Sequence, residues 1–151
     1  MRKLYSLLIY LLTPLALLHL AFRGLRNRDY LRRWSERFAF FDSPPAVGGM
    51  VVHAASMGEV NAASALIREL LQRYPEYPLC ITTLTPTGSD RVRALFSDKV
   101  FHVYAPLDLP GAVLRFFDRT LPLLLIIMET EFWPNFFFEA ASQGIPVVIA
   151  K

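Results

Sequence analysis

The chain is predicted to be an α/β protein, a parallel sheet covered by helices on both faces, behind an apolar N-terminal helix. Three observations carry this. From residue 50 onward, short apolar runs that read as buried strands alternate with stretches of helical periodicity. Each junction carries turn or helix-start chemistry, namely Ser56-Met57-Gly58-Glu59, Thr85-Pro86-Thr87-Gly88 and Trp133-Pro134-Asn135. The first 22 residues hold a run of 19 without charge, residues 4–22. That is close to the roughly 20 residues that span a bilayer.

The elements follow in order. Residues 4–22 read as a membrane-embedded anchor, in preference to a helix lying in the interface. Arg2 and Lys3 would suit a signal peptide, yet no small-x-small cleavage site precedes the arginines. Six arginines (Arg23, Arg26, Arg28, Arg32, Arg33, Arg37) then stand against Asp29 and Glu36, a charge suited to anionic headgroups on the cytoplasmic side. Residues 27–41 place Tyr30, Leu31, Trp34 and Phe38 at three-to-four spacing, which predicts an amphipathic helix. Pro44, Pro45, Gly48 and Gly49 make a loop. Strands are expected at 50–54, 79–84, 100–104, 123–128 and 147–150. Helices are expected at 59–74, 89–96, 109–118 and 134–143. The domain plan is an anchor over 1–22, a basic amphipathic helix and linker over 23–49, and a Rossmann-like domain over 50–151.

Candidate chemistry sits at the strand-to-helix junctions, where open α/β sheets collect ligands. Glu59 opens a helix, and a helix N-terminus favours negative charge. Its position also makes it half of a capping pair with Ser56. Glu129 and Glu131 follow the strand at 123–128; in extended backbone both point one way and Thr130 the other, and either one is also placed to cap the next helix. Thr85, Thr87, Gly88 and Ser89 offer hydroxyls and backbone N–H groups to an anion, with Arg91 and Arg93 close in sequence. Turn chemistry and N-capping account for the same residues. His53 reads as a strand-end residue lining the site, and Trp133 as packing under its turn or as a flat face for a sugar ring. Single Cys80 excludes an internal disulfide, and no His or Cys spacing suggests a metal or cofactor. No Walker or dinucleotide fingerprint is present, and no aromatic-basic interleaving points to nucleic acid.

Taken in order, Ser56-Met57-Gly58-Glu59, Thr85-Pro86-Thr87-Gly88 and Met128-Glu129-Thr130-Glu131-Phe132-Trp133-Pro134-Asn135 resemble the N-terminal part of bacterial 3-deoxy-D-manno-octulosonic acid (Kdo) transferases. The resemblance includes the apolar N-terminus and the Arg-rich segment 30–37. It implies the acceptor half of a two-domain glycosyltransferase of the GT-B type, an enzyme of lipopolysaccharide biosynthesis. Such an enzyme moves Kdo from CMP-Kdo to the lipid A precursor, lipid IVA, with inversion, on the cytoplasmic face of the inner membrane. It implies Glu59 as general base and Ser56, Gly58, Thr85, Thr87, Gly88, Glu129 and Glu131 as acceptor contacts. Glu129 and Glu131 are not ranked against each other. The donor-binding domain is expected beyond Lys151, and Lys151 itself stands where the family pattern would continue with Asn. The competing expectation is a truncated, non-catalytic acceptor-binding module on the membrane.

Overall fold

The computed structural model describes residues 2–129, 131 and 133–151. Five strands form one parallel sheet: β1 (Met50–His53), β2 (Leu79–Thr83), β3 (Phe101–Tyr104), β4 (Leu124–Met128) and β5 (Val147–Ala150). Their order is β3-β2-β1-β4-β5, with His53 level with Thr82 on one side and Ile127 on the other. Chain direction across the sheet therefore reverses between β1 and β4, and the crevice above their carboxyl ends is the topological switch point.

The helices are α1 (Arg2–Arg26), α2 (Met57–Arg73), α3 (Pro86–Phe96), α4 (Pro110–Thr120) and α5 (Pro134–Ser142). Alternation along the strands divides the core in two. Val52, Ile81 and Ile126 pack with Val60, Ala63, Ile67 and Val92 of α2 and α3. Val51, Val103, Leu125 and Ile127 pack with Val113, Phe116, Phe117 and Phe136 of α4 and α5. Both faces are buried, so the inner strands need no polar side, which is why they read as unbroken apolar runs. Every expected strand is present to within a residue or so, and α2 through α5 begin one to three residues from where their caps were expected or at that place.

Residues 27–41 are not the amphipathic helix that their spacing predicts. Two 3-10 turns, Arg28–Leu31 and Trp34–Phe38, replace it. Arg33 and Ala39 take left-handed backbone (φ 59° and 58°), a conformation that ends helical propagation for residues with a Cβ. The cause lies in what the arginines bind. Arg33 donates to Ser89 Oγ (2.9 Å) and His102 Nδ1 (3.2 Å), and pairs with Glu36 (2.7 Å). Arg37 is buried, donates to the Leu84 carbonyl (2.9 Å), and its Nε has no protein partner among the described residues. Both guanidinium groups lie 4.6 Å from the centre of the Tyr104 ring. Thus two of the six arginines fasten the N-terminal segment to the sheet, and only the others remain for a surface role. Burial and the neighbouring Arg33 and Arg93 charges push the His102 imidazole down to about 3, so it is neutral and accepts from Arg33.

Candidate functional site

The turn after β1 is built by its own residues. Ser56 is the N-cap of α2, and its Oγ accepts from the Glu59 N–H at 3.4 Å. The Glu59 carboxylate returns to the Ala55 N–H (2.8 Å) and to the Ser56 hydroxyl (3.1 Å). This is a variant of the reciprocal cap that Ser-x-x-Glu encodes, with the carboxylate taking the N–H of Ala55, one residue before the N-cap Ser56. It holds a half-buried carboxylate at the switch point with both oxygens engaged once. Each oxygen keeps a further lone pair for an incoming donor.

The turn after β2 packs beside it. Thr85 caps α3 by accepting from the Gly88 N–H at 3.1 Å, and the Thr87 hydroxyl donates to Thr85 at 3.3 Å. A Cβ at Gly88 would lie 3.3 Å from Thr83 Cβ and 3.4 Å from the Ser56 carbonyl carbon. Glycine there lets α3 seat against the β1–α2 turn. The Leu84 N–H donates to the Ala55 carbonyl (2.9 Å), joining the two turns. Ser89 is buried and takes the Arg33 hydrogen bond, and Arg91 reaches Asn61 (2.5 Å), so neither is directed to a ligand here.

The turn after β4 departs from expectation. Glu129 has φ 62° rather than extended backbone, so Glu129 and Glu131 do not share a direction. Glu129 is exposed, while its N–H prolongs the ladder to Ala150 (2.9 Å). Glu131 returns toward β1: His53 Nε2 lies 3.3 Å from its Oε2, and Trp133 Nε1 donates to the same oxygen at 2.7 Å. The expected orientation of Thr130 lies outside the described residues. His53, only 3% exposed, also contacts Thr82 Oγ1 through Nδ1 at 2.8 Å. With Nε2–H given to the carboxylate, Nδ1 accepts from the threonine hydroxyl. The hydrogen bond from His53 holds the Glu131 carboxyl below the usual carboxylate range; burial opposes this, and the Trp133 bond adds to it. Trp133 stands edge-on to His53 with centroids 5.8 Å apart.

Neither glutamate caps α5. That role belongs to Asp108 of the β3–α4 loop, whose oxygens accept from Asn135 N (3.1 Å) and Phe136 N (2.9 Å), while its carbonyl accepts from Asn135 Nδ2 (2.7 Å). Burial raises the Asp108 carboxyl above its ordinary value, and these bonds pull the other way. Asp108 is only weakly signalled in the sequence. The only cue was a lone acidic residue in Pro106-Leu107-Asp108-Leu109-Pro110, with nothing to say which helix it serves. Cys80 is buried and its thiol is pushed up to about 12, which leaves it unreactive. Among the described residues, no three His, Cys, Asp or Glu side chains gather as a metal site.

A doubly wound parallel domain with two carboxylate-bearing turns at its switch point belongs to the class of α/β domains that take ligands in that crevice. The family model for 3-deoxy-D-manno-octulosonic-acid transferase (kdotransferase) matches residues 32–151. The chain is 44% identical to the 3-deoxy-D-manno-octulosonic acid transferase of Haemophilus influenzae, over 99% of this chain and 36% of that protein. It is 35% identical to a probable mitochondrial 3-deoxy-D-manno-octulosonic acid transferase of Arabidopsis thaliana, over 96% of this chain and 33% of that one. A relative from Bordetella pertussis shares 36% identity over 71% of this chain and 26% of its own length. The chain belongs to the Kdo transferase family. It spans about a third of the length of these curated relatives.

Proposed function

We propose that this chain is the acceptor-side domain of a glycosyltransferase that moves Kdo from CMP-Kdo to the lipid A precursor, lipid IVA, at the cytoplasmic face of the bacterial inner membrane. In this reading an acceptor hydroxyl oxygen attacks the anomeric carbon of Kdo from the face opposite the leaving group. The bond from that carbon to the phosphate oxygen breaks, and CMP leaves with the electron pair. Because the leaving group is a phosphate monoester, the step depends most on removing the hydroxyl proton, and Glu59 receives it. Ser56 and Gly58 shape the turn that presents Glu59. Thr85, Thr87 and Gly88 lie beside it for acceptor contacts. Glu131, held by His53 and Trp133, faces the same crevice and is the better placed of the later pair to accept from sugar hydroxyls. Glu129, outward and exposed, is assigned the rim. The donor would be held mainly by a second domain beyond residue 151.

The observation that supports this most is the convergence of the β1–α2 and β4–α5 turns on one switch point, each with a carboxylate held by named donors. The test is Glu59→Gln in a protein that also carries the donor-binding region. Transfer is expected to fall by about 10²–10⁴-fold, the usual contribution of a general base, with lipid acceptor binding retained. Normal turnover in the variant would reduce Glu59 to a helix cap.

A further inference from the structure

We propose that α1 lies in the plane of an anionic phospholipid bilayer, clamped to the α/β domain at both ends, instead of crossing the membrane. This rests on the inner-membrane reading above and states how the attachment is made. Near the start of α1, the Tyr5 hydroxyl donates to Asp108 Oδ2 at 2.7 Å, and the Ser6 hydroxyl to Asn135 Oδ1 at 3.1 Å. Asp108 and Asn135 are themselves buried, the first being the cap of α5. At the other end Gly24 is buried, with Leu31 filling the space a Cβ would need, and the Arg23 guanidinium sits 4.4 Å from the centre of the Tyr30 ring. From there the chain runs directly into Arg33 and Arg37, which are fixed on the sheet edge. A 25-residue helix is about 37 Å long, more than the roughly 30 Å hydrocarbon core. A helix crossing that core would part Tyr5 from Asp108 by its whole thickness.

The two faces of α1 differ accordingly. Tyr5, Ser6, Ile9, Thr13, Leu17 and Gly24 make a partly covered stripe along one side. On the other, Leu4, Leu8, Leu11, Leu15, Leu18 and Leu25 repeat at mostly three-to-four spacing and are each at least 51% exposed. Exposed Lys3 lies at one end of that seam and exposed Arg23, Arg26, Arg28 and Arg32 at the other. A cationic rim around an apolar seam complements acidic headgroups over acyl chains. The same rim would repel itself across a pairing of two copies. Because Tyr5 and Ser6 hold the residues that form the α5 cap, bilayer docking is coupled through Asp108 to the start of α5, which follows the Glu131–Trp133 turn.

The test places single spin labels at Leu4→Cys, Leu11→Cys, Leu18→Cys and Leu25→Cys in the full chain, since buried Cys80 stays silent to labelling. Labelled protein is mixed with vesicles of phosphatidylglycerol and phosphatidylethanolamine, and depth is read from oxygen and aqueous-nickel relaxation. All four labels are expected at one shallow depth, about 5–10 Å below the headgroup boundary. A profile deepest at residues 11–18 and shallow at both ends would mean a spanning helix and overturn the proposal while leaving the membrane reading intact. No vesicle binding would overturn both. Spin–spin broadening without vesicle binding would assign the seam to a second copy and likewise overturn the proposal. In a second measurement, Tyr5→Phe with Ser6→Ala is expected to speed amide exchange at the first turn of α5 by about tenfold on vesicles, roughly the factor carried by one net hydrogen bond. Unchanged exchange would show that α1 does not hold that turn.

Discussion

The β1–α2 and β4–α5 turns stand side by side at the switch point, and each presents a glutamate, yet they are held in opposite ways. The hydrogen bonds that present Glu59 in the first come from within four residues, between Ser56 and Glu59 and from Ala55 to Glu59, and the Leu84 N–H on the Ala55 carbonyl ties it to its neighbour. The second depends on distant chain. Among the described residues α5 has no side-chain cap of its own at Trp133, and Asp108, 27 residues upstream of Asn135, accepts from its first turn. Glu131 is aimed by His53, 78 residues away. A turn that closes on itself can form as soon as its helix does. A turn closed by tertiary partners takes its geometry only when β1, β4 and the β3–α4 loop have packed. The proposed base is thus positioned by local capping, whereas the proposed acceptor carboxylate is positioned by the assembled fold.

The largest effect is expected from Asp108→Ala. It leaves the Asn135 and Phe136 N–H groups without their acceptor in a buried setting. The expected cost is about 2–4 kcal/mol, from a lost cap plus unpaired buried donors. It would be read as a shift of the urea midpoint at constant m value. A cost below about 1 kcal/mol would show that α5 is able to cap itself. Ser56→Ala should cost less, about 1 kcal/mol. Combined with Glu59→Ala the loss should be smaller than the sum, because each residue is the other's partner. Strict additivity in that cycle would mean the reciprocal cap contributes nothing as a pair.

The smallest effect concerns pH. The folded Glu131 carboxyl lies below its ordinary value of 4.5 because His53 donates to its ionised form. A depressed carboxylate adds stability above the unfolded value, and that contribution is lost as pH falls through the folded one. Chemical denaturation of the parent and Glu131→Gln should therefore show a gap that is constant from neutral pH down to about 4.5 and closes below it. A gap that persists in acid would remove the His53 contact as its cause.

Much of this arrangement was legible in the residues alone, and for a common reason. The strand runs 50–54 and 123–128 lie within a residue of β1 and β4, because inner strands buried on both faces can be nothing but apolar. The Ser56–Glu59 and Thr85–Gly88 caps were readable because capping joins residues three apart. Residues 27–41 misled, since their apolar spacing is helical while Arg33 and Arg37 are drawn to Tyr104, Ser89 and Leu84 in other elements. Glu129 and Glu131 could not be ranked until the left-handed backbone at Glu129 was seen to break the alternation.

The α/β class, the apolar N-terminal helix, the family and the turn that holds Glu59 are all written locally in the residues. These depend on periodicity and on contacts a few residues long. The pairing of Glu131 with His53, the capping of α5 by Asp108 and the return of α1 to the domain through Tyr5 arise only in the packed fold. Those contacts join residues 27 to 103 positions apart. Their partners are selected by which strand ends and loops the packed sheet brings together, and no local pattern records that choice.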